Sequence, residues 1–391
     1  METLELKSPV IREPRLALTV VMLLLATALL QLQSQTMALL FVIAIAMGLT
    51  LFQSSFSFSA AYRNLFLKRD TEGVRSHLLL LGITSCLFAP FLYGDAASGL
   101  SLAGALAPVG IGMAFGAFLF GVGMQLGGAC ASGTLYTVGS GNPRSVIVLV
   151  FFCAGAFWGS LDIGWWQRLP GVGVISLPDI FGWKASLAGQ VFLLVGLYVL
   201  MMRLHKPANA VSFQKRETLV RQALRGPWPL VAAVFLLAIL NLSTLITVGH
   251  PWTITWGFTL WAAKLAELVG WNPATSAFWA AGFPRQALLS PVWMDVTSVM
   301  NAGILGGAFL GVWASRRKLQ PKTDRRLGPV IAAIIGGFML GYGARLAYGC
   351  NIGAFISGAA SGSLHGWVWI VCALPGNWIG MHLRKYFGLQ N

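Results

Sequence analysis

The sequence predicts an all-α polytopic membrane protein: about ten transmembrane helices plus re-entrant or half-helices, arranged as two inverted-topology repeats. Three observations lead there. Of the 391 residues, 56% are hydrophobic and 10% charged, with a mean hydropathy of +0.72, whereas soluble domains carry roughly a quarter charged residues. Apolar runs of crossing length recur along the whole chain. A glycine-rich stretch centred on a cysteine occurs twice, in register.

A crossing helix needs about 20 largely apolar residues, with about 17 to 25 tolerated. Ten segments meet this: Leu16–Leu32, Met37–Phe56, Leu78–Tyr93, Leu106–Gly127, Ser145–Leu161, Ser186–Met202, Leu230–Thr247, Val296–Ala314, Val330–Ala347 and Leu364–Met381. The third is short, so its helix is expected to begin before Leu78. Lys264, Glu267, Pro273, Pro284 and Arg285 interrupt the stretch Ile254–Leu288, which predicts two half-helices or a re-entrant pair. Irregular backbone at that depth is tolerated only where protein or a water-filled cavity covers it. Met1–Glu13 lacks the basic-then-apolar pattern of a signal peptide, so the first apolar run is expected to stay in the membrane.

Charge then sets topology. A net charge of +15 would point a soluble chain toward nucleic acid, but here the basic residues sit between apolar runs and report orientation instead. Residues 7–15, 63–75, 203–225, 316–326 and 384–385 hold 21 of the 27 Lys and Arg. Ten crossings with both termini cytoplasmic put all five clusters, and Arg144, on the cytoplasmic side, as the positive-inside rule requires. The expected organisation is a cytoplasmic segment 1–15, a first membrane repeat 16–202, a basic cytoplasmic linker 203–228 and a second membrane repeat 229–391.

The duplicated stretch reads Phe118-Leu-Phe-Gly-Val-Gly-Met-Gln-Leu-Gly-Gly-Ala-Cys130-Ala-Ser-Gly133 and Phe338-Met-Leu-Gly-Tyr-Gly-Ala-Arg-Leu-Ala-Tyr-Gly-Cys350-Asn-Ile-Gly353. Phe, two glycines, Leu, Cys and a further Gly coincide, and Trp158 and Trp378 keep the same offset. The loop before the first copy, Gly94–Ala103, has no Lys or Arg, whereas Ser315–Leu327 before the second has six. The two copies are therefore expected to lie inverted in the membrane, a transporter signature with substrate sites near the midplane.

Glycine lets the backbone turn and approach a ligand, and turned backbone exposes N–H groups that favour anions. The candidates are Gly128 and Gly133 in the first loop and Gly349, Asn351 and Gly353 in the second. Ser132, Thr134, Tyr136 and Ser357 are neutral neighbours able to hydrogen-bond. A free thiol is a weak donor and a soft, polarizable group, better suited to a sulfur-containing anion than to sulfate. Five cysteines without CxxC spacing argue against a disulfide framework or a structural zinc site. Cys86, Cys153 and Cys372, each alone in an apolar run, read as packing residues. The register match sets Cys130 and Cys350 apart.

Arg345 is a basic residue well inside a span, and its repeat mate is Gln125. An intramembrane charge is costly and a functional candidate by default. Two readings stay open for it: drawing an anion into the outer vestibule, or capping carbonyls near a helix end. His365 reads as an interface residue, Asp95 and Asp295 as solvated span ends, and Lys264 with Glu267 as an ion pair.

At these residues a resemblance becomes specific. Gly341-Tyr-Gly-Ala-Arg345-Leu-Ala-Tyr-Gly-Cys350-Asn351, followed by Ser363-Leu-His365-Gly-Trp367, resembles the YeeE/YedE sulfur-transport family, as do Leu126-Gly-Gly-Ala-Cys130 and Gln53-Ser-Ser-Phe-Ser57-Phe-Ser-Ala-Ala-Tyr-Arg63-Asn64. The resemblance covers roughly residues 35–385. It implies an inner-membrane protein that imports thiosulfate by passing the anion between thiols, with Cys130 and Cys350 as two of them. Ser57 stands where the family usually has a third Cys, and Asn64 replaces a usual Asp. A hydroxyl donates a hydrogen bond but lacks the soft contact.

The expected function is import of thiosulfate or a related sulfur-containing anion, with substrate contacts at Cys130, Cys350, Ser57, Gly128, Gly133, Gly349, Asn351, Gly353 and Arg345. No enzyme activity, cofactor, metal or nucleic-acid partner is expected. The alternatives are transport of a selenium compound, or a membrane sulfurtransferase that carries sulfur as a Cys persulfide. The basic cytoplasmic clusters offer a dock for a soluble sulfur-carrier protein.

Overall fold

The computed structural model describes residues 12–94, 99–206, 226–315 and 326–390. Most of the expected N-terminal segment, of the 203–228 linker and of the 316–326 basic cluster lies outside these residues, as does Asp95.

Each expected span contains a helix, the one expected over Leu106–Gly127 starting only at Ile111. The first half of the chain contains α1 (Arg12–Gln33), α2 (Gln35–Ser54), α3 (Phe58–Lys68), α4 (Glu72–Leu92), α5 (Ile111–Gly127), α6 (Ala131–Gly139), α7 (Pro143–Trp166), α8 (Leu177–Phe181) and α9 (Trp183–Leu204). The second contains α10 (Leu230–Val248), α11 (Thr255–Leu268), α12 (Gly282–Leu289), α13 (Val296–Ala314) and α14 (Leu327–Leu346). A π-helical segment (Asn351–Ser357), the single turn α15 (Gly358–Ala360) and α16 (Leu364–Leu383) complete it. Among the described residues, nine helical stretches are long and apolar enough to cross a membrane, so the chain is a multi-pass membrane protein. The tenth expected span is α16, which carries buried His365 and Asn377. The only strands among the described residues, β1 (Pro108–Gly110) and β2 (Gly171–Val174), form a small antiparallel ribbon.

Caps explain several boundaries. The Ser34 hydroxyl accepts from the Met37 N–H and starts α2, and Asn142 does the same for α7 through the N–H groups of Arg144 and Ser145. An oxygen at this position satisfies backbone donors that the first helical turn leaves open. Helix α4 begins at Glu72, six residues before the apolar run, behind the turn at Asp70 and Thr71.

Glycine sets how closely the helices approach. A Cβ added at Gly123 would meet the Leu340 nitrogen at 2.8 Å and the Gly336 oxygen at 2.9 Å. One added at Gly343 would meet the Gly116 oxygen at 2.6 Å and the Phe120 nitrogen at 2.7 Å. These contacts are exchanged by the sequence repeat, so α5 and α14 cross as symmetry mates, and they run antiparallel. The same exchange relates α16 on α5, where Gly376 lies on the Phe118 backbone, to α7 on α14, where Gly155 lies on the Phe338 backbone. Small residues permit such backbone approach inside a membrane, where apolar surface gives no preference for protein over lipid. The antiparallel crossing of repeat mates is the inverted architecture.

The interrupted stretch forms α11, a 3-10 turn at Pro273–Thr275 and α12. The expected Lys264–Glu267 pair is replaced by other partners. The Lys264 ammonium donates to the carbonyls of Leu288 and Ser290 at 2.6 and 2.7 Å, and Glu267 faces Arg285 at 3.8 Å. Carbonyls left open where α12 ends outcompete a partly exposed carboxylate. Asp295 caps α13 at Ser298 and accepts from the Trp256 indole at 3.0 Å.

Candidate functional site

The two cysteine loops are built alike. Helix α5 ends at Gly128, whose φ of 88° lies in the left-handed region that favours glycine. Two residues later Cys130 caps α6. In the second copy Tyr348 and Gly349 hold φ values of 57° and 150°, and Cys350 caps the π-helical segment. A Cβ at Gly349 would meet the Ala354 nitrogen at 2.9 Å, so the tight return demands glycine there. Backbone N–H groups of Ser132 and Gly133 lie near the Cys130 thiol, and those of Ile352 and Gly353 near Cys350. The Ser132 hydroxyl lies 3.3 Å from the Cys130 sulfur. π-helical turns occur frequently at functional sites.

Both cysteines are buried, at 2% and 1% exposure, in the same central core. All five cysteines are free thiols. Tyr62 on α3 faces the Asn351 side chain and the Cys130 thiol. The Tyr62 hydroxyl and the Asn351 amide are buried facing one another, and neither makes a close hydrogen bond to any other group in the fold. An unsatisfied buried polar atom costs about 1–3 kcal/mol, so a hydroxyl and an amide left with only each other beside two thiols mark a place built for a polar guest.

Two cavities adjoin these residues. One, of about 140 Å³, is lined by Arg345, Gly349 and Gly353 together with Thr253, Trp256 and Tyr348. The Arg345 side chain is half-buried there, its guanidinium 4.5 Å from the centre of the Phe278 ring and its Nε without a hydrogen-bond partner. The other, of about 190 Å³, is lined by Ser57, Asn64, Asp70, Glu72 and His77. The Ser57 hydroxyl caps α3, accepting from the Ala60 N–H at 3.3 Å. Cys130, Cys350, Asn351, Gly133 and Gly353 are thus drawn to the centre. Arg345, Gly349 and Gly353 line the first cavity and Ser57 the second, and Gly128 ends α5.

The hairpins are tied down by polar side chains. The Ser59 hydroxyl donates to the Gly128 carbonyl at 2.9 Å. Asn241 donates to Ser357 at 3.3 Å and accepts from the Trp252 N–H at 2.9 Å. The Gln125 amide donates to Ser59 and Asn377, each at 2.9 Å. His365 is buried against Gly358 and contacts Ser363 at 2.8 Å. Sequence reasoning missed Tyr62, His77 and Thr253. One signal for Thr253 was present: Trp252-Thr253-Ile254-Thr255 follows α10 as Phe56-Ser57-Phe58-Ser59 follows α2.

The inverted helical repeats and the buried, paired thiol loops define the permease class of membrane protein rather than a soluble enzyme. The chain belongs to the family described as "Sulphur transport", whose profile matches residues 53–379. It is similar to the probable transporter YedE of Escherichia coli strain K12, 32% identical over 155 residues, covering 39% of this chain and 37% of that protein. The match therefore spans little more than a third of YedE. It is also similar to the thiosulfate transporter TsuA of Spirochaeta thermophila, 24% identical over 82% of this chain and 91% of that protein. The thiosulfate transporter TsuA of Escherichia coli is 25% identical over 83% and 87%.

Proposed function

We propose that this protein carries thiosulfate or a related sulfur-containing anion across the membrane, along a path that runs between the two cysteine hairpins. The observation that carries the reading is the meeting of two buried thiols, from inverted copies of one loop, with the loosely paired Tyr62 hydroxyl and Asn351 amide. Hydroxyl, amide and backbone N–H groups donate to the anion's oxygens. The thiols offer its terminal sulfur a soft, weakly hydrogen-bonding contact. Such a site distinguishes thiosulfate from sulfate by the one atom that differs. The near full-length similarity to two thiosulfate transporters supports the same substrate.

Arg345 and the glycines of the second loop form the entry vestibule, and Ser57 stands on the exit side. A fixed guanidinium at the entry raises the local anion concentration, while the neutral centre lets the anion leave. The positive-inside distribution supports cytoplasmic termini, and the reading places the protein in the inner membrane with repeats over 16–202 and 229–391 and transport inward. The same basic clusters would dock a cytoplasmic sulfur-carrier protein. A sulfur-auxotrophic host growing on thiosulfate tests the function. Cys130→Ala and Cys350→Ala are each expected to abolish growth while the protein remains in the membrane. Growth equal to the parent in both would refute the path.

A further inference from the structure

His77 in α4 is a buried histidine that the path described above does not use. It is 3% exposed, and its Nδ1 has no hydrogen-bond partner. The ring stacks on Phe58, with centroids 4.0 Å apart, and stands edge-on to Phe56 and Tyr62 at 5.1 and 5.6 Å. It also lines the cavity of about 190 Å³ that holds Ser57. A histidine used only for packing finds partners for its ring nitrogens, because an orphaned one costs about 1–3 kcal/mol. This one has a nitrogen left unpaired, beside both the central Tyr62 and the last hydroxyl on the path.

We propose that His77 is a proton-binding site coupled to the anion, so that one proton is taken up when thiosulfate occupies the path and released when it leaves. The inference rests on the transport reading above. A dianion between Tyr62 and Ser57 favours the imidazolium, and linkage requires that the proton favour the anion by the same factor.

The groups around it fit this role. From α3 comes Tyr62. Across the cavity stand the carboxylates of Asp70 and Glu72, which can accept the proton on release. Asp70 lies 3.8 Å from His205 at the end of α9. Arg75, on His77's own helix, turns away over the Tyr198 ring at 5.9 Å. Helix α10 and the π-helical segment, which also pack on α4, carry no titratable side chain.

Calorimetric titration of thiosulfate into the purified protein, in two buffers of different ionisation enthalpy, tests the proposal. The expected result is uptake of about one proton per anion, with affinity rising about tenfold per pH unit of acidification across histidine's ordinary range. His77→Gln and His77→Phe, which keep a polar or a stacking side chain on Phe58, should bind with buffer-independent heat and no pH slope. Buffer-independent heat in the parent protein, or proton uptake that persists in both variants, overturns the assignment and leaves the transport reading standing. Absence of any binding in the parent protein overturns both.

Discussion

Removing the Tyr62 hydroxyl should make the protein more stable and a worse transporter. Tyr62→Phe deletes one atom and adds none, at a position 3% exposed in the central core. That hydroxyl makes no close hydrogen bond in the fold and faces only the Asn351 amide, so the free protein recovers little of its desolvation. Its removal should raise unfolding free energy by about 1 kcal/mol, the lower end of the cost of an unsatisfied buried group. A hydrogen bond to a charged partner contributes about 1.5–3 kcal/mol, so loss of the anion contact should weaken thiosulfate affinity about 10- to 150-fold. Denaturation of detergent-purified protein, with and without thiosulfate, reads both effects. The parent protein should be stabilised strongly by the anion and the variant weakly. A variant less stable than the parent, with unchanged thiosulfate protection, would show that the hydroxyl is already satisfied and that the path lies elsewhere.

Three other substitutions probe separate parts of the account. Gly341→Leu should prevent accumulation of folded protein in membrane fractions, because even a Cβ there would sit 2.0 Å from the Phe152 carbonyl oxygen; the overpacking cost exceeds the usual range of about 1–3 kcal/mol. Normal accumulation would contradict the helix crossing. Arg345→Gln should slow thiosulfate uptake at low concentration about tenfold and flatten its salt dependence, since an entry charge acts through local anion concentration; an unchanged salt dependence would leave the guanidinium with only its Phe278 contact. Ser57→Cys should keep or raise uptake, because the position lines a cavity next to the path and a thiol restores the soft contact. Loss of uptake in that variant would mean the hydroxyl's cap on α3, rather than contact with the anion, is what the position supplies.

Composition and apolar run length made the helices legible before any coordinates, and the asymmetry of the loops at Gly94–Ala103 and Ser315–Leu327 made the inversion legible. Periodicity could not find the start of α4, which depends on the turn at Asp70 and Thr71 rather than on hydrophobicity. Tyr62 and His77 were hidden for a different reason. An aromatic or histidine near an apolar stretch looks like core, and only the fold shows that their polar atoms lack close partners. Lys264 shows the limit of local pairing: Glu267 is three residues away, yet backbone carbonyls more than twenty residues downstream hold the ammonium.

The central claim is that an anion in transit touches Cys130 and Cys350 together. A structure determined with selenosulfate, in which selenium replaces the terminal sulfur of thiosulfate, locates that atom by its anomalous signal. The account predicts one peak between the two cysteine sulfurs, with the oxygens toward Tyr62 and Asn351. A peak at neither thiol, under saturating anion, would contradict it.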